Sequence, residues 1–261
     1  MSWEIESVAT ELLRCEEQRV DRPAFTDDWP ELDLDTAYEI QDLTLQARLD
    51  RGETLVGVKL GLTSKAKQQR MGVDVPFVAW LTDAMILPMT DPVPLSDLIH
   101  PRVEPEIVFT MGERLVGAGV SCASAMSAVD SVRAGVEVID SRYQNFRFKA
   151  GDVVADNASS ALYTTGGISL PANGLDLLHE GVLVEVGGEV VDSATGAAVQ
   201  GHPAEALALA AKELSKRGHA IEAGWVVLTG GMTDAVPLVD GAYVGMHFSN
   251  LGSIYVRGQA G

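Results

Sequence analysis

The order of elements after residue 76 places the strongest limit on what this chain can fold into. Short β-branched runs there are separated by Gly, Pro, Asn and Asp, and only single helices interrupt them. GVLVEVGGEVV predicts a hairpin, because Gly187 and Gly188 permit the positive φ angles of a tight turn. GAYVGMHFSNLGSIYVRG predicts a second hairpin, and 203–217 predicts a helix between them. Strands and helices do not alternate regularly, so we expect an α+β fold with a mixed, largely antiparallel sheet and not a Rossmann fold.

The first quarter of the chain has a helical pattern. Apolar residues at helical spacing over 2–19 and 35–50 predict two helices, with Asp35 capping the second and Gly52 following its end. An apolar strand at 55–60 comes next.

The sequence pattern changes from helical periodicity to short β-branched runs near residue 75, which predicts how the chain is divided. A short helix at 64–71, closed by Gly72, ends the helical part. We therefore expect 1–75 to form a cap of helices and one strand packed on the core, and 76–261 to form the β-roll core.

The charge of the chain limits its partners. A formal net charge of −18 argues against nucleic acid or an anionic membrane, because either would be repelled at long range. An anionic substrate would need local positive charge, which a divalent ion supplies.

No apolar run approaches the roughly 20 residues of a membrane span, and the N-terminal stretch is unlike a signal peptide, so we expect a cytoplasmic protein. Cys15 and Cys122 do not indicate a disulfide framework.

Three glutamates suggest a metal site. In HPRVEPEIVF, Glu104 and Glu106 lie at i and i+2, which places them on one face of a strand about 7 Å apart. Glu137 lies within a strongly apolar strand, where a carboxylate is costly unless it is paired or bound to metal. All-oxygen ligands suit Mg²⁺ or Mn²⁺. Pro105 indicates an edge strand, a β-bulge or a site rim. The alternative to a metal site is an edge strand whose acidic side chains face water.

Other polar residues admit two interpretations each. Lys59, in an apolar strand, is either an edge residue that reaches water or a buried cation with a carboxylate partner. Arg142, Arg147 and Lys149 are a solvated basic loop or a source of positive charge for a substrate carboxylate. The segment 152–160 is a polar turn or a row of donors lining a pocket.

The glycines of the TGG segment, which ends at Gly231, would allow backbone amides to approach a ligand. The segment lacks the pattern of a phosphate-binding loop. The histidines show no zinc signature.

Several long motifs occur in a recognisable order. They are VGVKLGLTSKAKQQRMGV, LIHPRVEPEI, VEVIDSRYQNFRF, VVADNASS, GHP, TGGMTDAVP and a closing LGSIYVR. Together they resemble the hydratase and decarboxylase branch of the fumarylacetoacetate hydrolase superfamily, from about residue 30 to the C terminus.

The resemblance implies a fold and a set of site residues. The fold is a mixed β roll surrounded by helices, in keeping with the pattern above. Metal ligands fall on Glu104, Glu106 and Glu137, which hold Mg²⁺ or Mn²⁺, and the active-site lysine falls on Lys59. The substrate-binding positions implied are Leu60, Arg142, Asn157, Ser159, Ser160, Thr229 and Gly230.

Within that branch, DSRYQNFRF, TGGMTDAVP and Phe77 resemble the decarboxylases more than the hydratases. This implies metal-dependent decarboxylation of 2-oxohex-3-enedioate, a small dicarboxylate 2-oxo acid, to 2-hydroxypenta-2,4-dienoate and CO2 in meta-cleavage degradation of aromatic compounds. It also implies a homo-oligomer and a complex with a 2-hydroxypentadienoate hydratase. Ala79 and Trp80 depart from the usual pattern, which implies a deviation in pocket shape and substrate.

Three alternatives stay open. The chain could be a 2-hydroxypenta-2,4-dienoate hydratase with the same metal chemistry, or a non-catalytic scaffold for a partner hydratase. A C–C hydrolase fits less well, since the histidine of its His-Glu dyad should lie near the front of the domain and no histidine precedes His100.

Overall fold

Two β-sheets form the core of the computed structural model, which describes residues 3–65, 68–69, 73 and 76–261. The strands are β1 (Leu55–Gly61), β2 (Phe77–Thr82), β3 (Val93–Pro94), β4 (Arg102–Met111), β5 (Val129–Ile139), β6 (Ser160–Thr165), β7 (Leu170–Pro171), β8 (Gly181–Val186), β9 (Glu189–Thr195), β10 (Val226–Leu228), β11 (Val236–Pro237), β12 (Tyr243–Phe248) and β13 (Gly252–Gln259).

The larger sheet has eight strands in the order β2-β1-β10-β4-β5-β6, with β11 beside β4 and β7 beside β5. Its one parallel pair is β1 with β10, and its other pairs are antiparallel. The smaller sheet has the order β3-β13-β12-β8-β9 and contains both predicted hairpins. The larger sheet curls into a half-barrel, so the expected α+β, largely antiparallel roll is confirmed.

The described α-helices are α1 (Ile5–Gln18), α2 (Leu34–Asp50), α3 (Cys122–Ser127), α4 (Ala150–Ala155) and α5 (Pro203–Lys216). The side chain of Asp33, and not that of Asp35, caps α2, because Asp33 accepts a hydrogen bond from Thr36 N at 2.9 Å. The helix predicted over 64–71 and its closing Gly72 include residues outside the described ones. None of the described helices is long and apolar enough to cross a bilayer.

Two large hydrophobic clusters hold these elements together. One joins both sheets to α5, with Ile107, Val184 and Leu207 fully buried. The other joins α1, α2 and α4 around Phe25 and Tyr143. The division of the chain at residue 75 stays a prediction.

Strand β4 lies inside the sheet, which corrects the edge position, one of the three that Pro105 allowed. It pairs with β5 along its whole length on one side. On its other side, β10 pairs with residues 108–110 and β11 with Val103 and Arg102, and Pro105 falls in the gap between them. The carbonyl of Pro105 accepts a hydrogen bond from Met232 N at 2.9 Å. No described strand in this gap would accept a backbone hydrogen bond from residue 105, so proline fits here although the strand is interior.

Candidate metal centre and active site

Three glutamate side chains converge on neighbouring strands. Glu104 lies directly opposite Glu137 in the antiparallel pairing of β4 with β5, and Glu106 lies one pleat further along β4. One carboxylate oxygen from each of the three lies within 4.8 Å of the other two. Like charges placed directly opposite one another destabilise a sheet. This arrangement therefore requires compensation by positive charge.

Glu106 is the most enclosed of the three. Its side chain is fully buried, and Oε2 accepts a hydrogen bond from Gly230 N at 2.6 Å. Its other oxygen, Oε1, has no hydrogen-bond partner within the described parts of the chain. Burial raises the pKa of the Glu106 carboxyl well above its usual range, and the charge of Glu137 raises it further. An orphaned buried carboxylate oxygen among other carboxylates is the donor set that a hard divalent cation takes.

Glu137 is bound by a buried lysine and a hydroxyl. Lys59 Nζ lies 3.0 Å from Glu137 Oε1 and 3.2 Å from Oε2, and it donates to the carbonyl of Ala158 at 2.7 Å. Ser160 Oγ donates to Glu137 Oε1 at 3.1 Å. Lys59 is only 2% exposed, so the structure favours the buried cation with a carboxylate partner over the edge residue.

The TGG loop packs against the two glutamates of β4. Gly230 has a φ of +110°, and its amide donates the hydrogen bond to Glu106 Oε2 described above. A Cβ atom at Gly231 would lie 2.2 Å from Glu104 Oε2. Glycine is therefore needed here because the backbone approaches the carboxylates directly.

A cavity of about 510 Å³ opens beside these groups. Lys59, Glu104 and Ser159 are among the predicted site residues that line it. Aromatic and aliphatic side chains supply much of the remaining wall: Phe77, Ile139, Phe146, Phe148 and Val153. A mostly apolar cavity with a few convergent polar groups is the usual form of a small-molecule site.

The turn after α4 shapes one wall of this cavity. Asn157, Ala158 and Ser159 all have positive φ angles, of 47°, 50° and 57°. The polar segment predicted at 152–160 is thus a helical end followed by this left-handed turn. The turn directs the Ala158 carbonyl towards Lys59.

Six of the seven predicted substrate-binding residues do not line the cavity, and Ser159 does. Ser160 and Gly230 donate to Glu137 and Glu106, as described above. Leu60 packs in the main core, and Thr229 Oγ1 donates to the carbonyl of Ile107 at 2.8 Å. Asn157 bonds both backbone groups of Trp80, each at 2.9 Å. Arg142 forms a buried ion pair with Asp156. The roles assigned to these residues stay predictions.

Sequence reasoning overlooked Arg102, which also lines the cavity. Its guanidinium lies over the ring of Phe146, 4.1 Å from the ring centroid. Strand alternation could have predicted this position, because Arg102 is two residues before Glu104 on the same strand and therefore on the same face. Phe146 and Phe148 follow at alternate positions in QNFRF, where periodicity alone does not reveal a cavity wall.

No family model matches the chain, but curated proteins do. It is 42% identical over 251 residues to a 4-oxalocrotonate decarboxylase of Pseudomonas putida, covering 96% of this chain and 95% of that protein. It is 43% identical to another 4-oxalocrotonate decarboxylase, from Pseudomonas sp. (strain CF600), over 91% of this chain and 90% of that one. A 2-keto-4-pentenoate hydratase of Paraburkholderia xenovorans (strain LB400) is 36% identical over 87% of this chain and 85% of its own length.

Solved structures give the same grouping. The 4-oxalocrotonate decarboxylase from Pseudomonas putida G7, complexed with magnesium and adipate, superposes with a TM-score of 0.94 at 40% identity, covering 97% of this chain and 96% of that one. A fumarylpyruvate hydrolase from Pseudomonas aeruginosa has a TM-score of 0.60 at 16% identity, over 79% of this chain and 90% of its own, and shares the fold. The chain therefore belongs to the 4-oxalocrotonate decarboxylase family.

Proposed function

We propose that this chain is a carboxy-lyase that converts 2-oxohex-3-enedioate to 2-hydroxypenta-2,4-dienoate and CO2, in meta-cleavage degradation of aromatic compounds. The observation that carries the proposal is the cluster of three glutamates beside a buried lysine in one cavity, in a chain 42% identical to a decarboxylase over nearly its full length. A related decarboxylase structure contains magnesium and adipate, a six-carbon dicarboxylate.

Glu104, Glu106 and Glu137 would hold the divalent cation, Mg²⁺ or Mn²⁺. The donor set fits such an ion, since all the ligand atoms are carboxylate oxygens and one of them is otherwise unsatisfied. When bound, the cation supplies Lewis-acid stabilisation of negative charge on the oxygens of the 2-oxo acid.

The reaction places a specific demand on the cavity. The C5–C6 bond breaks as CO2 leaves, and its electron pair moves through the C3–C4 double bond onto the C2 oxygen. Fixed positive charge near that oxygen lowers the barrier most, because the charge there is larger in the transition state than in the substrate.

Lys59 is positioned to supply such charge from the protein. Glu137 and the Ala158 carbonyl fix its ammonium group at the cavity wall. An ammonium has three N–H donors, so Lys59 Nζ can also donate a hydrogen bond, or a proton, to the C2 oxygen. The apolar part of the wall limits water around it, which strengthens this interaction.

A 2-hydroxypenta-2,4-dienoate hydratase is the second candidate, because hydratases in the same branch are also similar over most of the chain, at 36% identity. A product assay on the purified protein separates the two. We expect CO2 from 2-oxohex-3-enedioate and no 4-hydroxy-2-oxopentanoate from 2-hydroxypenta-2,4-dienoate. The reverse pattern would assign the hydratase reaction.

The same assay tests the scaffold alternative, since turnover by the protein alone excludes a purely structural role. A homo-oligomer, a complex with a hydratase and a cytoplasmic location stay predictions from the sequence.

A further inference from the structure

Two cationic side chains are among the described residues that line the cavity, Lys59 and Arg102. Lys59 is already engaged by Glu137 and by the Ala158 carbonyl. Arg102 forms no ion pair with any described residue, and its guanidinium lies over the face of Phe146. The cavity thus contains a guanidinium that the metal cluster does not use.

The position of Arg102 matches the length of a six-carbon dicarboxylate. Arg102 and Glu104 are at i and i+2 of β4, so their side chains leave the same face about 7 Å apart. Five carbon–carbon bonds of about 1.5 Å each separate the two carboxylate carbons of such a molecule, which limits their distance to less than about 8 Å. One carboxylate at the glutamate cluster would therefore place the other within reach of Arg102.

We propose that Arg102 binds the second carboxylate of the substrate and so sets the preference for a dicarboxylate over a monocarboxylate. This inference rests on the proposed function, because it concerns the same cavity and the same substrate.

The surroundings of Arg102 suit this role. A guanidinium stacked on an aromatic face keeps the N–H donors on its edge free, and these form paired bonds with a carboxylate. Phe146, Phe148 and Ile139 line the same cavity and reduce solvent screening of the ion pair between Arg102 and the carboxylate.

Arg102 acts on binding more than on the chemical step. The C6 carboxylate loses its negative charge as CO2 departs, so an ion pair to it stabilises the bound substrate and not the transition state. Removing Arg102 should therefore raise KM far more than it lowers kcat.

A binding experiment tests the inference without turnover. Calorimetric titrations with Mg²⁺ present compare adipate with hexanoate, which has the same chain length and one carboxylate. In Arg102→Met we expect the Kd of adipate to rise at least about tenfold and that of hexanoate less than about threefold. Arg102→Lys should restore part of the affinity for adipate, since it keeps the charge and loses the paired geometry.

The matched control is Arg114→Met, because Arg114 is exposed and its ion pair with Glu222 lies away from the cavity. It should bind both ligands as the unmodified protein does. Equal affinity of the unmodified protein for adipate and hexanoate, or equal weakening of both by Arg102→Met, would overturn the inference.

Kinetics separate this inference from the proposed function. If the unmodified protein releases CO2 and Arg102→Met leaves KM for 2-oxohex-3-enedioate unchanged, the role of Arg102 is wrong and the proposed function stands. If the unmodified protein releases no CO2 while Arg102→Met still weakens adipate selectively, the proposed function fails and the dicarboxylate site remains.

Discussion

Glu106 is the side chain whose environment depends most on a bound cation. It is fully buried, and its carboxyl is surrounded by other carboxylates. Glu106→Gln keeps the size of the side chain and removes its charge, so the fold should persist while activity is lost. A hundredfold excess of Mg²⁺ over its Kd should stabilise the unmodified protein by about 2.7 kcal/mol and the variant far less, as thermal unfolding with and without Mg²⁺ can measure.

Glu113→Gln is the control, because Glu113 is exposed and is not a member of the cluster. It should retain the full response to Mg²⁺. Normal turnover by Glu106→Gln would show that this carboxylate is not a required ligand.

Lys59 should affect turnover more than metal binding. Lys59→Met removes the ammonium and keeps an unbranched side chain, so we expect kcat to fall by about 100-fold or more, as for loss of an acid–base group. The affinity for Mg²⁺ should change less than about tenfold, because Lys59 is a neighbour of the glutamates and not a ligand. Lys216→Met, on an exposed part of α5, is the matched control. An unchanged kcat would remove Lys59 from the chemical step.

Gly231 allows the TGG loop to lie against Glu104. Gly231→Ala places a Cβ 2.2 Å from Glu104 Oε2, so the carboxylate or the loop must shift. We expect the Kd for Mg²⁺ to rise about tenfold or more, since a shift of this size exceeds the tolerance of a metal site. Titration of each variant with Mg²⁺ measures this change in Kd. Gly119→Ala is the control, because its added Cβ meets no atom within 4 Å. Equal Mg²⁺ affinities of the two variants would contradict the close approach of Gly231 to Glu104.

Strand periodicity predicted the direction of some side chains but not their partners. Alternation placed Glu104 and Glu106 on one face, and the same rule would have added Arg102. The Gly230 amide that bonds Glu106 lies 124 residues away in the chain, and no local pattern encodes such a contact.

At the scale of elements, the left-handed turn after α4 depends on one amide side chain. Asn157 joins this turn to β2 through two hydrogen bonds to the backbone of Trp80. Asn157→Ala leaves the buried backbone groups of Trp80 without these partners, which should lower the free energy of unfolding by about 2 kcal/mol. For a chain of this size the melting temperature should fall by about 4 to 8 °C. The control is Asn173→Ala, because Asn173 is exposed. A fall of less than about 1 °C in the melting temperature of Asn157→Ala would contradict a stabilising role for the two hydrogen bonds to Trp80.

Elements were predictable where local signals agreed. Both hairpins, α1, α2 and α5 follow from glycine positions and helical periodicity. Of the positions inferred from Pro105, the edge of the sheet was wrong, and the rim of a site fits, since the neighbouring Glu104 lines the cavity. Proline indicates only that its own residue donates no backbone hydrogen bond. A gap between two short partner strands satisfies that condition inside the sheet.

At the scale of the whole molecule, the net charge of −18 coexists with a cavity built for an anion. Two protein cations line this cavity, within the described residues, and the carboxylate cluster fits a divalent ion that would reverse the local charge. Composition indicated that positive charge must be local, but only the assembled strands show where it lies.

The central claim is that this cavity performs metal-dependent decarboxylation. The most direct measurement is CO2 release from 2-oxohex-3-enedioate by the purified protein before and after treatment with EDTA, and again after Mg²⁺ is restored. We expect one CO2 per substrate consumed, loss of activity with EDTA and recovery with Mg²⁺. Undiminished CO2 release after complete removal of divalent ions, or no release under any of these conditions, would contradict the account.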